Sequence, residues 1–313
     1  MQDVGNDTEA FDDVFKATAD LRTVHDKSYL DLDNIEHLFA AIETGLLIGK
    51  FSDRTIAQIE GLRASIIKLI TRTLQRSVKF PVQSGAFRPP RPYGDFLSTL
   101  WTLINNQPAA DPHNFSFITF NYDLILDFSL GLTGYTYDYC LDDANTTPRV
   151  PLLKLHGSVS WGACTKCKSI TPLDLKSIRA NPLVGNSDIP IDIIDSLART
   201  KCRHCQQPLE GPPVLVPPTW NKTEYHSNLA KVWRRAALEL EKADNIIVIG
   251  YSMPKADAFF HYLYALDSES KVKLRNFIVI NPDKSVESRF KEIVGPGIQN
   301  QFKFIPSDFS TNY

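Results

Sequence analysis

Two closely spaced cysteine pairs constrain the fold of this chain more than any other feature of its sequence. They are Cys164-Thr-Lys-Cys167 and, after 34 intervening residues, Cys202-Arg-His-Cys205. Each pair can turn two thiolates towards one ion, and two pairs complete a closed tetrahedral site, which is typical of structural zinc. The alternative is four unrelated thiols, which requires both spacings to arise by chance. The sequence therefore predicts structural Zn²⁺ bound by Cys164, Cys167, Cys202 and Cys205.

Composition excludes several classes of protein. Of the 313 residues, 43% are apolar and 22% are charged, which is typical of globular rather than disordered chains. A net charge of −2 gives no general attraction for nucleic acid or an anionic membrane, so we expect contact with neither. No apolar run approaches the ~18 residues that span a bilayer, and the first residues are acidic, unlike a signal peptide. We expect a cytoplasmic protein. We also expect Cys140, the one cysteine outside the two pairs, to be buried.

The first third of the chain has helical periodicity. Apolar residues recur at helical spacing in two segments between 33 and 76, which predicts a helical hairpin with Asp33 and Asp53 as the N-caps. The proline-rich stretch 81–95 predicts a loop, followed by a short helix over 96–104.

Short apolar runs that each end in polar residues follow residue 112. Such runs are typical of parallel strands buried on both faces. Helical segments over 226–242, 255–267 and 284–293 separate the later runs, which are FSFITF, PLLKL, NIIVIG, NFIVI and QFKFI. The fold class predicted is α/β, a Rossmann-like doubly wound parallel sheet with an inserted zinc-binding module and a helical insertion. The predicted boundaries are an N-terminal helical segment over 1–112, core over 113–160, zinc module over 161–213 and core over 214–313.

Polar residues cluster where these strands end, which is where doubly wound sheets bind ligands. In T-x-N-Y-D, Asn121 and Asp123 can present an amide and a carboxylate to a ligand, or can cap the helix that follows. In K-L-H-G-S, His156 can serve as a base near neutral pH, or can be a structural histidine at a strand end.

Two later strand ends carry similar signals. Gly250 and Ser252 lie in a G-Y-S-x-P turn that can bind phosphate or ribose, or can be an ordinary turn between a strand and a helix. Asn281 and Asp283 lie in N-P-D and can hydrogen-bond a sugar.

The order of these motifs resembles the sirtuin-like NAD-binding family over about residues 33–283. More closely, it looks like the prokaryotic defence-associated branch, in which K-L-H-G-S is followed by Trp161, the zinc knuckle, the P-P-T-W segment at 217–220 and the W-R-R-A helix at 233–236. The resemblance implies an NAD-binding Rossmann-like sheet, a small zinc module and cleavage of the nicotinamide–ribose bond.

The resemblance also implies roles for single residues. His156 would be the general base, Asn121 would hold water or a ribose hydroxyl at the anomeric carbon, and Asp123 would position the nicotinamide end. Ser252 would bind phosphate or the adenosine ribose, which Asn281 would also bind. The residues implied in NAD binding are Thr119, Tyr122, Ser158, Gly250, Ser252, Asn281 and Asp283.

The sequence departs from the family in two places. Sirtuin-like chains open with a strand and a G-A-G-x-S loop that this sequence does not contain, so we expect either a start downstream of that loop or a form that naturally lacks it. The F-G-E strand and T-Q-N-I-D motif of protein deacylases are replaced by P-V-L-V-P-P-T-W and T-F-N-Y-D, which favours water as the acceptor.

Three functions remain open on these residues. The first is an NAD⁺ hydrolase that releases nicotinamide and ADP-ribose in antiphage defence, activated by assembly as a homo-oligomer or by a partner, for which the resemblance suggests a HerA-type ATPase or an Argonaute-related protein. The second is a catalytically silent scaffold or sensor. The third is an NAD-dependent lysine deacylase.

Overall fold

A computed structural model of the protein describes residues 2–22, 30–105, 114–142, 149–175, 186–188, 192–217, 223–254, 263–264 and 274–309. Its contacts divide the chain into two compact units, each assembled from separate stretches of sequence. The first unit comprises 1–87, 120–124 and 156–228, and the second comprises 88–119, 125–155 and 229–313. None of the described helices is both long enough and apolar enough to cross a membrane.

The first unit begins with three helices, α1 (Gln2–Arg22), α2 (Ile35–Ile48) and α3 (Ile56–Ser77). Helices α2 and α3 confirm the predicted hairpin, but both predicted N-caps are wrong. Asn34 caps α2 by accepting a hydrogen bond from the Glu36 amide at 2.9 Å. Thr55 caps α3 through a reciprocal capping box with Gln58, a pairing that Asp53 cannot make because Ile56 lies three residues after it.

Helix α1 was not predicted, because little apolar surface marks it in the sequence. Its buried positions are the small residues Ala10, Val14 and Ala17, whereas two phenylalanines on the helix are mostly exposed. Asp7 pairs with Arg72 near the end of α3, and Asp20 pairs with Arg54 just before α3 begins, so the two helices run antiparallel. Charge pairing therefore complements a thin apolar contact between them.

A β-hairpin, β1 (Lys79–Gln83) and β2 (Ala86–Phe87), replaces the first part of the loop predicted over 81–95. Both turn residues, Ser84 and Gly85, have positive φ, which is the geometry of a two-residue hairpin turn. Strand β8 (Asn186–Asp188) pairs antiparallel with β1 and completes a three-stranded sheet.

The cysteine pairs lie in the same unit. Strand β6 (Gly157–Ala163) lies between β7 (Ile170–Pro172) and β9 (Pro213–Leu215), antiparallel to both. The short helix α6 (Ile193–Arg199) is also part of this unit. The sequence around the cysteines showed little periodicity because these elements are short.

The second unit contains the parallel strands. One sheet has the order β3 (Phe117–Thr119), β5 (Val150–Lys154) and β4 (Tyr137–Asp138). The other has the order β10 (Asn245–Ile249), β11 (Asn276–Ile280) and β12 (Phe302–Ile305). Each of the five apolar runs of the sequence overlaps one of these strands, and the prediction of an α/β fold with parallel strands is confirmed.

Helices accompany these strands along the chain. They are α4 (Arg91–Asn105), α5 (Ile125–Leu132), α7 (Thr223–Lys242), of which only the part from 229 onwards belongs to this unit, and α8 (Val286–Ile293), followed by a 3-10 turn (Pro296–Gln301). Helix α4 starts at Arg91 rather than at 96, because Pro92 is well accommodated in a first helical turn. Most of the helix predicted over 255–267 lies outside the described residues.

Burial differs between the parallel strands. Every residue of β5 is buried, as predicted, whereas Ile247 in β10 is 57% exposed. On the other side of the same sheet, Phe277 and Val279 of β11 pack with Val286 and Phe290 of α8 in one core cluster. Burial on both faces therefore holds for β5 but not for β10 among the described residues.

Candidate functional site

The four predicted metal ligands come together in the first unit. The Sγ atoms of Cys164, Cys167, Cys202 and Cys205 all lie within 4.8 Å of one another. The Sγ atoms of Cys164 and Cys205 are 3.4 Å apart, and those of Cys167 and Cys202 are 3.5 Å apart. Tetrahedral zinc with Zn–S bonds of about 2.3 Å needs sulfur atoms about 3.8 Å apart. The cluster therefore has the donor type and size that Zn²⁺ requires.

The two C-x-x-C segments fold in the same way. The amide of Lys168 donates to the carbonyl of Cys164 at 2.9 Å, and the amide of Gln206 donates to the carbonyl of Cys202 at 3.0 Å. Both Lys168 and Gln206 have φ near 60°, a conformation that non-glycine residues adopt rarely. Two equivalent turns thus aim four sulfur atoms at one point.

Ser169 is a neighbour of the cluster that the sequence analysis missed. Its Oγ lies 3.0 Å from Sγ of Cys167 and 3.2 Å from Sγ of Cys202. Burial opposes ionisation of Cys202, but hydrogen bonds from Ser169 and from backbone amides outweigh it and lower the pKa of this thiol to about 5. A thiolate is the form that binds metal. The signal in the sequence was a hydroxyl residue two positions after the first cysteine pair.

We expect one zinc ion per chain, and none in the variant Cys164→Ser, because three thiolates leave the tetrahedral site open. The matched control is Cys140→Ser, since Cys140 belongs to the second unit and is not in the cluster. Metal analysis of the purified proteins measures the zinc content. Equal zinc content in the two variants would contradict the assignment.

Cys140 itself is only partly buried, not buried as expected. Its backbone has φ of 55°, and burial followed by the charge of Asp138 raises the pKa of its thiol to about 11. This cysteine is therefore a neutral thiol near pH 7.

The parts of the T-x-N-Y-D and L-H-G-S segments that lie in the first unit, 120–123 and 156–158, contact one another. The ring centroid of His156 lies 4.9 Å from that of Phe120, in an edge-on arrangement, and 6.0 Å from that of Tyr122. The amide of Val159 donates to the carbonyl of Tyr122 at 3.1 Å. His156 is 2% exposed, so its imidazole is almost fully desolvated.

Backbone contacts fix the turn that carries His156. The His156 carbonyl accepts a hydrogen bond from the amide of Val216 at 2.9 Å, and the Tyr122 hydroxyl donates to the Val216 carbonyl at 3.0 Å. Gly157 has φ of 82°, and a Cβ atom at this position would lie 2.1 Å from the carbonyl oxygen of Val214. Only glycine fits at this point of the turn.

The remaining predicted residues of this unit differ in exposure. Asn121 is exposed and Asp123 is partly buried, and both lie in the turn before α5. Ser158 is fully buried, and its Oγ lies 3.2 Å from Oγ of Ser160. The unit therefore contains one buried imidazole that contacts Phe120 and Tyr122, and Asn121 and Asp123 alternate with these two residues along the chain.

The other predicted residues lie in the second unit. Thr119 ends β3, and its carbonyl accepts a hydrogen bond from the Leu155 amide at 2.9 Å. Gly250 follows β10 with φ of 70°, and its amide donates to the Ile280 carbonyl at 2.9 Å. Ser252 is exposed, and its carbonyl accepts from Nη1 of Arg289 at 2.9 Å.

Asn281 joins the ends of two neighbouring strands, β10 and β11. Its Nδ2 donates to the Tyr251 carbonyl at 3.3 Å, and its Oδ1 accepts from the Asp283 amide at 2.9 Å. Asp283 is exposed, and hydrogen bonds from the Ser285 hydroxyl and amide lower the pKa of its carboxyl. Both side chains thus hold the loop that leaves β11.

We expect Asn281→Ala to lower the free energy of unfolding by about 0.5–1.5 kcal/mol, because the substitution removes the side-chain hydrogen bonds to the Tyr251 carbonyl and the Asp283 amide. Urea denaturation measures this change. The control is Asn114→Ala, since Asn114 is exposed. An equal effect in both variants would show that the Asn281 side chain does not hold the loop.

Sequence analysis missed a buried charge cluster in the second unit. Nζ of Lys154 lies 2.8 Å from Oδ2 of Asp127, and the Tyr139 hydroxyl donates to Oδ1 of Asp127 at 2.5 Å. Lys154 and Asp127 side chains are 1% and 0% exposed. Lys154 belongs to the K-L-H-G-S motif, but nothing in the sequence indicated its partner.

No protein-family model and no curated protein matches this chain. Among solved structures, the chain is similar to a Sir2–p53 peptide–NAD⁺ complex, with 13% identity, coverage of 87% of this chain and 86% of the other, and a TM-score of 0.38. It is also similar to a Sir2 homologue variant with ADP-ribose, with 16% identity, 87% and 84% coverage and a TM-score of 0.40. A Sir2 homologue–NAD complex matches with 18% identity, 87% and 82% coverage and a TM-score of 0.38.

Proposed function

We propose that this protein is an NAD⁺ hydrolase that cleaves the bond between nicotinamide and ribose. The observation that carries the proposal is the contact between the two motif turns, in which the ring centroid of His156 lies 4.9 Å from that of Phe120 and 6.0 Å from that of Tyr122. Asn121 and Asp123 are the sequence neighbours of these two aromatic residues. One base and one turn of polar groups are the parts that a hydrolysis of this kind needs.

The proposed reaction assigns one role to each polar group. The N-glycosidic bond breaks, and its electron pair stays with the nicotinamide nitrogen, so the leaving group is neutral. Asn121 orients a water molecule whose oxygen bonds to the anomeric carbon, and His156 takes the proton of that water. Asp123 positions the nicotinamide end. The products are nicotinamide, ADP-ribose and a proton.

The remaining predicted residues are proposed as contacts to the rest of NAD⁺. Gly250 and Ser252 would bind phosphate or the adenosine ribose, because the Gly250 turn exposes backbone and a hydroxyl after a strand. Asn281 and Asp283 would bind the adenosine ribose. The other proposed NAD⁺ contacts are Thr119, Tyr122 and Ser158.

Water is the proposed acceptor rather than an acyl-lysine. A peptide substrate that adds to a sheet needs an exposed strand edge. Strand β9 follows the cysteine module at the edge of its sheet, but all three of its residues are buried. This burial argues against peptide docking at β9.

The direct test is nicotinamide release from NAD⁺, measured together with deacylation of an acetyl-lysine peptide. We expect nicotinamide and ADP-ribose with wild type, and loss of both products with Asn121→Ala. Zinc content and circular dichroism matched to wild type show whether the loss with Asn121→Ala reports on chemistry rather than on the fold. Asn114→Ala is the matched control. Peptide-dependent release of nicotinamide would instead favour a deacylase.

We also propose that hydrolysis is the effector step of an antiphage defence system, activated by homo-oligomer assembly or by an ATPase or Argonaute-related partner. This part rests on the motif resemblance alone. If the purified protein releases no nicotinamide, either alone or with a candidate partner, the catalytically silent scaffold or sensor becomes the favoured function.

A further inference from the structure

The buried charge cluster Asp127–Lys154–Tyr139 includes two residues that are close in sequence to the two motif segments. Lys154 is the last residue of β5, two residues before His156 along the chain. Asp127 lies in the first turn of α5, four residues after Asp123. The ion pair therefore joins the end of the strand that precedes His156 to the first turn of the helix that follows Asp123.

Leu155, which lies between Lys154 and His156, makes two hydrogen bonds that further fix the end of β5. The Leu155 amide donates to the Thr119 carbonyl at 2.9 Å, and the Leu155 carbonyl accepts from Nε1 of Trp233 at 3.1 Å. Strand pairing places Thr119 beside Lys154 in parallel register. Both segments thus start from backbone that is fixed in the second unit.

Stability alone does not explain a fully buried ion pair. Removing two charges from water is costly, and replacing such a pair by apolar residues is often neutral or stabilising. The Tyr139 hydroxyl stays a proton donor to Asp127, because burial and the Asp127 charge raise its pKa well above the ordinary value. A cluster of fixed geometry, with directional hydrogen bonds, defines position better than apolar packing does.

We propose that Asp127, Lys154 and Tyr139 are positioning residues, which hold the first turn of α5 and the end of β5 in one register and so fix the backbone that leads from Asp123 into α5 and from β5 to His156. The proposal rests on the proposed NAD⁺ hydrolysis for its catalytic readout. It assigns to the cluster no contact with substrate.

The test is a full-length triple variant in which apolar residues of similar shape replace the cluster, Asp127→Leu with Lys154→Met and Tyr139→Phe. We expect it to fold with wild-type zinc content and a midpoint of urea unfolding equal to or above that of wild type. Its kcat for nicotinamide release should fall at least tenfold, with KM changed less than threefold. Hydrogen exchange at the Leu155 amide should accelerate at least tenfold under native conditions.

The control is a second ion pair in the helical hairpin, Arg63 with Glu43, whose Nε and Oε1 atoms lie 2.6 Å apart. The variant Arg63→Met with Glu43→Leu should keep wild-type kcat and Leu155 exchange. A triple variant that fails to fold would overturn the proposal, because the cluster would then be a requirement of folding. Unchanged kcat and unchanged exchange would overturn it as well.

The same experiment separates failure of the positioning proposal from failure of the proposed NAD⁺ hydrolysis. Wild type would then release no nicotinamide, whereas the exchange rate at Leu155 would still show whether the cluster holds the junction. Faster exchange in the triple variant would support positioning without hydrolysis. Unchanged exchange would reject it.

Discussion

His156→Ala is expected to reduce kcat for nicotinamide release by about 10²–10⁴-fold, the usual contribution of a general base. The imidazole is the group that takes the proton of the attacking water in the proposed reaction. Its ring is 2% exposed and contacts Phe120 and Tyr122, so no bulk water can replace it directly. The measurement is steady-state product formation with zinc content and circular dichroism matched to wild type.

The matched control for this substitution is His37→Ala. His37 is exposed on α2 and belongs to neither motif. We expect this variant to retain the wild-type rate. A His156→Ala rate within threefold of wild type would remove His156 from the chemistry, whereas equal losses in both variants would indicate damage to the fold.

Gly157→Ala is expected to lower the free energy of unfolding by about 3–5 kcal/mol, through backbone strain combined with overpacking. The added Cβ would lie 2.1 Å from the Val214 carbonyl oxygen, and φ of 82° disfavours any side chain. The contact atom is backbone of β9, so no side-chain rotation relieves it. Urea denaturation followed by tryptophan fluorescence measures the loss.

Substitutions at two other glycines separate backbone strain from overpacking as causes of the stability loss in Gly157→Ala. Gly250 has φ of 70° with open space around its Cβ position, so Gly250→Ala should cost only about 1–2 kcal/mol of strain. Gly61 lies inside α3 with open space and no positive φ, so Gly61→Ala should stabilise by about 0.5–1 kcal/mol. If Gly157→Ala costs no more than Gly250→Ala, the close contact with Val214 does not constrain the turn.

Local signals explain the parts of the fold that were predicted. The C-x-x-C turns depend on residues within five positions of one another, and the sulfur cluster is confirmed. The five apolar runs predicted strands because parallel pairing in a core demands continuous apolar sequence. The helical hairpin followed from periodicity, whereas its caps were misplaced by one or two residues because cap geometry depends on single side-chain contacts.

The β1–β2 hairpin was missed because two local sequence signals in this stretch conflict. The four prolines and two glycines of 81–95 favoured a loop, whereas the pair Ser84-Gly85 formed a tight turn between strands. Ser169 was missed because a hydroxyl beside a cysteine has no distinctive spacing. Its distances of 3.0 Å and 3.2 Å to two sulfur atoms make it part of the cluster.

The sequence by itself determined the metal ligands, the strand-forming runs and the polar motifs that follow them, because each of these depends on neighbouring residues. Only the tertiary structure decided that α1 pairs with α3, that Gly157 must lack a side chain because of Val214, and that Asp127 neutralises Lys154 across 27 residues. Charge pairing and steric exclusion act between residues that are close in space. Their partners are therefore set by folding, and no sequence pattern marks them.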